Sequence, residues 1–237
     1  MGANKKVEGH LIKDFESDSL LVEAYRILRT NILLADKEQT LQTIQVTSAS
    51  PGEGKSMVAA NLASIIALAG SRCILVDANL RKPVLADQFG VNGQIGLTNV
   101  LMGLVKLESA LAYTEIPGLR LLPGGPIPPN PADLLGSQAM AVLMEELKDQ
   151  AALVIIDSPP LLSVVDSSLI APLVDGVILV VGSGQTERKS LVRARQLLDA
   201  AQAKVLGVVL NSVSALDNGY QHYYSSYSDS LKGDVGA

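Results

Sequence analysis

Thr43-Ile-Gln-Val-Thr-Ser-Ala49-Ser-Pro-Gly-Glu-Gly-Lys55-Ser-Met-Val-Ala-Ala-Asn-Leu62 is the stretch that decides the fold. Its first residues, Thr43–Thr47, are a short β-prone run. Its last residues continue into Val58, Ala59, Leu62, Ile65, Ile66 and Ala69, which fall on one helical face. Between them, Ala49 to Ser56 has the form A-x-x-x-x-G-K-S, a phosphate loop with Ala in place of the commoner first Gly. A strand before and a helix after are the context such a loop requires. Gly52 and Gly54 let the backbone curl so that amide N–H groups point at phosphate oxygens. Lys55 reaches the β- and γ-phosphates, and the Ser56 hydroxyl is placed to hold Mg²⁺. The helix N-terminus adds partial positive charge. Glu53 and Met57 lie in the same stretch and count among the expected nucleotide contacts.

Working outward, five more aliphatic runs are candidate strands: Cys73–Asp77, Leu119–Leu122, Leu153–Asp157, Val177–Val181 and Val205–Leu210. The runs at Leu153, Val177 and Val205 are almost continuously aliphatic, as strands buried on both faces of a parallel sheet should be. Helical patterns alternate with them. One follows Thr186, and another starts at Asn130-Pro131, with Asn as cap and Asp133 in the first turn. The expected fold is α/β: a single P-loop domain with a mostly parallel sheet and helices on both faces. Residues 1–18 read as an N-terminal arm or linker, 19–211 as the P-loop domain, and 212–237 as a flexible tyrosine-rich tail.

Composition agrees. At 48% hydrophobic and 18% charged residues, the 237-residue chain has material for a sizeable core and is not a disordered sequence. A net charge of −5 argues against a general nucleic-acid binder. One cysteine, Cys73, makes no internal disulfide, which suits a reducing compartment. The charge-free stretch from Ser56 to Ser71 falls short of the ~20 residues a membrane span needs.

Two strands end in a carboxylate: Ile74-Leu75-Val76-Asp77 and Val154-Ile155-Ile156-Asp157. An Asp closing an aliphatic strand is costly without a cation or hydrogen-bond partner. The carboxyl edge of an open α/β sheet is where ligands bind. Asp157, followed by Ser158-Pro159-Pro160, reads as the Walker B carboxylate. The second acidic strand, continuing as Asp77-Ala-Asn79-Leu-Arg81-Lys-Pro83, resembles the additional Walker motif of the bacterial tyrosine kinases of capsule and exopolysaccharide synthesis. The resemblance extends through Pro126-Ile-Pro-Pro-Asn-Pro131, Glu23-Ala-Tyr-Arg26-Ile-Leu-Arg29 and the terminal tyrosine cluster. It implies a kinase that moves the γ-phosphoryl of Mg-ATP to tyrosines of its own tail, mainly between subunits. Asp77 is then the base, Lys55 and Asp157 serve phosphate and Mg²⁺, and Ser56, Asp77 and Asp157 form the metal set. One departure stands in the site: the family usually has a second Asp where this chain has Asn79. Asn211, ending the last strand, is a candidate adenine contact, with a strand-end turn as the alternative.

Tyr220, Tyr223, Tyr224 and Tyr227 are spaced as a helical stripe, but their Ser, Asp, Asn and Gly neighbours favour open chain. They are the expected phosphoacceptors. Tyr25 and Tyr113 read as structural. Glu23, Arg26 and Arg29 share a helix face. Their bland reading is a solvated ion-pair surface, while the resemblance implies a ring-like homo-oligomer interface. It also implies the cytoplasmic tail of a membrane polysaccharide co-polymerase as activator, a cognate tyrosine phosphatase, and a place at the inner face of the cell membrane through that partner or a fused membrane domain. Two other readings share the loop. A partitioning or septum-positioning ATPase would carry an extra lysine early in it, where Ser50 stands. A regulatory pseudokinase would bind nucleotide without transfer.

Overall fold

Short aliphatic runs that can bury both faces form one seven-stranded sheet in the computed structural model, which describes residues 11–16, 19–35 and 41–213. In chain order the elements are α1 (Leu20–Ala35), β1 (Thr43–Ser48), α2 (Lys55–Leu68), β2 (Cys73–Asp77), α3 (Leu85–Phe89), α4 (Leu97–Leu101), α5 (Leu107–Ala110), β3 (Ala112–Tyr113) and β4 (Leu119–Leu122). There follow α6 (Pro131–Leu135), α7 (Gln138–Gln150), β5 (Leu153–Asp157), α8 (Asp166–Ile170), β6 (Gly176–Gly182), α9 (Arg188–Ala200) and β7 (Val205–Asn211). The strand order is β3-β4-β2-β5-β1-β6-β7, with β3 antiparallel to β4 and every other pair parallel.

All six expected strands are present, but the Val205 run is not buried on both faces: β7 is an edge strand, and Val208 and Leu210 are more than half exposed because no described strand or helix covers their side. The seventh, β3, has two residues and therefore no run to read in sequence. The helix expected from Asn130 does begin at Pro131, but the Asn130 side chain makes no capping bond and the helix ends at Leu135. The long helix is α7, whose cap is Ser137: its hydroxyl accepts from the Met140 N–H at 3.3 Å.

Side chains alternate across the strands and feed two faces. Ile44, Val46, Leu75, Leu121 and Ile155 pack under α1 and α2, whereas Ile74, Val76, Leu122, Val154 and Ile156 pack against α4 and α7. A third cluster joins α9 to Val177 and Leu179. Helix α2 is buried continuously from Val58 to Ala67, because α1 covers the side turned away from the sheet. A helix apolar all round is stable only in such a position. Among the described residues no helix is long and apolar enough to cross a membrane.

The expected arm is docked where it is described. Leu11 and Ile12 are each 3% exposed, and the Ile12 N–H donates to Asn61 Oδ1 of α2 at 2.8 Å. Tyr25 of α1 lies beside the same Asn61, so one buried residue of α2 meets both the arm and α1. Residues 12–14 form a single 3-10 turn there. Asn61→Ala leaves a buried backbone donor unpaired and should destabilise the protein by about 1–3 kcal/mol. The check is a lower urea midpoint with an unchanged slope; an unchanged midpoint would show that the arm contributes nothing to stability.

Candidate functional site

The turn from β1 into α2 has the conformation that its glycines permit. Gly52 and Gly54 have φ of +84° and +86°, the left-handed region that residues with a Cβ avoid. At Gly54 space also decides, since a Cβ would stand 2.0 Å from Asn211 Nδ2. Glu53 is only 3% exposed. Its carboxylate accepts from the Ser50 N–H at 3.0 Å and from the Thr186 hydroxyl at 2.5 Å. Thr186 Oγ1 in turn accepts from the Gly182 N–H at 2.9 Å, and Asn211 Nδ2 donates to the Glu53 carbonyl at 3.0 Å. The ends of β6 and β7 thus brace the loop from outside. The Glu53 and Asn211 side chains, read from sequence as nucleotide contacts, are engaged within the protein, and the Met57 side chain packs against the core.

Sheet register brings the two strand-ending carboxylates together. Asp77 and Asp157 are paired residues of β2 and β5, both 0% exposed. Their surroundings differ. Asp77 Oδ2 accepts from the Val84 and Leu85 N–H groups at 2.9 and 3.0 Å, and Oδ1 accepts from the Asn79 N–H at 3.3 Å. Neither oxygen of Asp157 has a hydrogen-bond partner, and the Lys55 ammonium stands 3.8 Å from Oδ1, beyond hydrogen-bond length. Lys55 Nζ donates to Ser56 Oγ at 3.0 Å. Burial, reinforced by Asp157, holds the Asp77 carboxyl well above the usual carboxylate range despite the three amides. Burial also raises Asp157, against the pull of Lys55.

A buried carboxylate with no hydrogen bond, beside a lysine and a serine hydroxyl at a helix start, is a donor set that matches a hard divalent cation carrying phosphates. Lys55, Ser56, Asp77 and Asp157 therefore meet at one edge of the sheet, as the sequence reading requires.

Sequence reasoning missed two residues beside this edge. Arg81, in the loop after β2, donates from Nε and Nη2 to the two oxygens of Asp166, each at 2.9 Å. Asp166 is fully buried at the start of α8. The fork fixes the loop that carries Asn79, itself 8% exposed. Eighty-five residues separate the pair, so no local pattern announces it. Below them Gln45 Nε2 donates to Ser158 Oγ at 2.8 Å and to the Ser167 carbonyl at 2.9 Å, locking the turn after Asp157.

Glu23, Arg26 and Arg29 lie on α1. Arg26 pairs with Glu23 at 3.2 Å on a half-exposed face, and Arg29 Nε is buried without a partner. Exposed Leu20, Ile27, Leu33 and Leu34 accompany them on this helix. Tyr25 is 7% exposed, as a structural tyrosine should be. Tyr113 is not structural: it is 84% exposed on the edge strand β3. Tyr220, Tyr223, Tyr224 and Tyr227 lie outside the described residues.

Comparison with known proteins agrees with this geometry. Residues 44–234 match the family described as the CobQ/CobB/MinD/ParA nucleotide binding domain. The chain is 38% identical over 221 residues to the tyrosine-protein kinase YwqD of Bacillus subtilis, covering 93% of each chain. Among solved structures it resembles the chimerical protein CapA2B2, with a TM-score of 0.82 and 37% identity over 86% of this chain and 89% of that one. The kinase domain of the Escherichia coli tyrosine kinase ETK superposes with a TM-score of 0.79 and 31% identity, over 82% of this chain and 77% of that one. The chain therefore belongs to the CobQ/CobB/MinD/ParA nucleotide-binding family and, within it, to the bacterial tyrosine-protein kinases.

Proposed function

We propose that this chain transfers the γ-phosphoryl group of ATP to tyrosines of its own C-terminal segment, Tyr220, Tyr223, Tyr224 and Tyr227, from one copy to another. The observation that carries the reading is Asp157, buried with both oxygens unpaired beside Lys55 and Ser56. That arrangement is unfavourable in the protein alone and favourable once a cation and phosphates are bound. Gly52, Gly54 and the first turn of α2 direct backbone N–H groups at the phosphates, and Lys55 meets their charge. Ser56 and Asp157 would hold Mg²⁺, with Asp77 beside them. Bound Mg²⁺ supplies neutralisation of the charge that develops on the transferring group. Asp77 accepts the phenolic proton through Oδ1, the oxygen with the one long hydrogen bond, and its raised pKa suits a base working near neutrality. Arg81 and Asp166 keep the loop beyond Asp77 in place. Glu53, Thr186 and Asn211 hold the phosphate loop in its curled form, and Asn211, at the end of β7, is the proposed adenine contact.

Glu23, Arg26 and Arg29, with the exposed leucines of α1, form the surface through which copies associate, in a ring-like arrangement by family likeness. The same likeness supports a role in capsule or exopolysaccharide synthesis, activation by the cytoplasmic tail of a membrane partner, and reversal by a tyrosine phosphatase.

Lys55→Met should leave the fold intact and abolish phosphotyrosine after incubation with ATP and Mg²⁺, since the side chain is 12% exposed at the site and outside the core clusters. Phosphotyrosine at the wild-type level would refute the site.

Asp157→Asn should raise the thermal midpoint of the ligand-free protein, because an amide is cheaper to bury than an unpaired carboxylate, and should remove the further stabilisation given by Mg-ATP. Both carboxyls are raised in the folded state, so the native protein binds more protons than the unfolded chain above about pH 4 and stability falls as pH rises through the raised values. The variant should show a shallower fall in a melt series across pH. A lower midpoint in Asp157→Asn would instead make the Lys55 contact a stabilising ion pair.

Charge reversal at Arg26 and Arg29 together should reduce self-association in light scattering and slow phosphorylation between copies. Unchanged assembly would reduce this face to a solvated surface.

A further inference from the structure

Beyond the tail, the structure contains one tyrosine that another copy could reach. Of the two described tyrosines, Tyr25 is buried in the core and Tyr113 is 84% exposed. Tyr113 sits on β3, which is attached to the sheet through only two residue pairs, Ala112 with Leu121 and Tyr113 with Arg120. Directly opposed residues of antiparallel strands project to the same side, with Cβ atoms about 5 Å apart. Arg120 is therefore the cross-strand neighbour of Tyr113.

The surroundings favour an anion. A cavity of about 390 Å³ at the amino edge of the sheet is lined by Tyr113, Arg120, Arg72, Thr114 and Gln150 among others, with no carboxylate in its wall. Neither arginine has a carboxylate partner among the described residues; Arg120 Nη2 donates to the Gln150 carbonyl at 3.2 Å, the end of α7. The carboxylate nearest in sequence, Glu115, is paired with Lys13 at 2.5 Å. Glu108 stands just outside the wall, where Gln150 Nε2 donates to it at 3.3 Å. Two arginines that line the cavity without an ion pair, next to an exposed phenol, make a setting in which a phosphate on that phenol would be held.

Register also says which active site would act. Arg120 pairs with Ile74, three residues before Asp77 on β2, and β3 lies two strands out from β2. Tyr113 is thus about 10 Å back along the strands and about 10 Å across from Asp77 of its own chain, with Asp157 one strand farther away. Its own phosphate loop does not meet it while β3 stays paired.

We propose that Tyr113 is a second phosphoacceptor of this chain, modified by a neighbouring copy, and that Arg120 and Arg72 hold the phosphate it acquires. The proposal rests on the kinase reading above. In the step, the Tyr113 phenolic oxygen attacks the γ-phosphorus of ATP, the bond from that phosphorus to the β,γ-bridging oxygen breaks, ADP leaves, and the phenolic proton passes to the base of the donating site. The new group brings about −1.5 to −2 charges into a cavity walled by two unpaired cations.

The test mixes two full-length variants with ATP and Mg²⁺ and maps phosphate by mass spectrometry. The acceptor is Lys55→Met, inactive with all tyrosines present. The enzyme carries Phe in place of Tyr113, Tyr220, Tyr223, Tyr224 and Tyr227, so that it cannot report on itself. Phosphate on Tyr113 of the acceptor is the expected result. Phosphate on the acceptor's tail with none on Tyr113 overturns the proposal and leaves the kinase reading intact. In parallel, wild-type protein that acquires no phosphotyrosine at all overturns both. The clamp is read separately: Arg120→Ala and the surface change Arg72→Ala should each let an added tyrosine phosphatase strip phospho-Tyr113 roughly tenfold faster, the ratio expected from losing one charge-assisted hydrogen bond. Equal removal rates in wild type and both variants overturn the role of the arginines.

Discussion

Lys55 and Asp157 face each other across 3.8 Å at the carboxyl edge of the sheet, and the rest of the site is arranged around that incomplete contact. The carboxylate is fully buried, yet the ammonium is too far away to hydrogen-bond it. Desolvating such a charge is expensive, and one distant cation does not offset the cost. Hydrophobic burial on both faces of the sheet makes the arrangement tolerable: the strands that carry Asp77 and Asp157 are aliphatic up to their last residue and packed on two sides. A functional edge is thus carried by a core that does not depend on it for stability.

The phosphate loop shows the same division of labour. Its glycines make the curled backbone accessible, but they do not select it from the other conformations a Gly-rich turn can adopt. Selection comes from Glu53, whose carboxylate binds the loop's own Ser50 N–H and Thr186, and from Asn211, which binds the Glu53 carbonyl. A buried, satisfied acid thus contributes rigidity where a phosphate must approach without meeting negative charge. Arg81 and Asp166 do the corresponding work for the loop after β2, and the hydroxyl and amide network of Gln45, Ser158 and Ser167 does it for the turn after β5.

Tyrosine positions illustrate where sequence pattern stops being informative. Tyr25 and Tyr113 look alike in sequence, each following an Ala and each within two residues of both a Glu and an aliphatic side chain. One lies on the buried face of α1 against Asn61, and the other on a two-residue strand at the margin of the sheet. The hairpin that exposes Tyr113 has no alternating run to announce it. The docking of Leu11 and Ile12 was equally hidden, because two apolar residues in a polar segment make no periodicity, and their burial depends on a side chain 49 positions away.

By itself the sequence determined the features whose physics is local. The six long strands follow from aliphatic runs, α2 from its helical spacing, and the phosphate loop from Gly and Lys at fixed offsets between a strand and a helix. The two carboxylates at strand ends were legible because a charge closing an apolar run is conspicuous within five residues. Only the tertiary structure decided that Asp77 and Asp157 stand side by side, since register between strands eighty residues apart is a property of packing. It alone decided that Asp77 is satisfied by backbone amides while Asp157 is left open, and that Glu53 turns inward to Thr186 across 133 positions. Contacts of that separation are chosen by the shape of the folded chain as a whole, and residue type at either end carries no record of the partner.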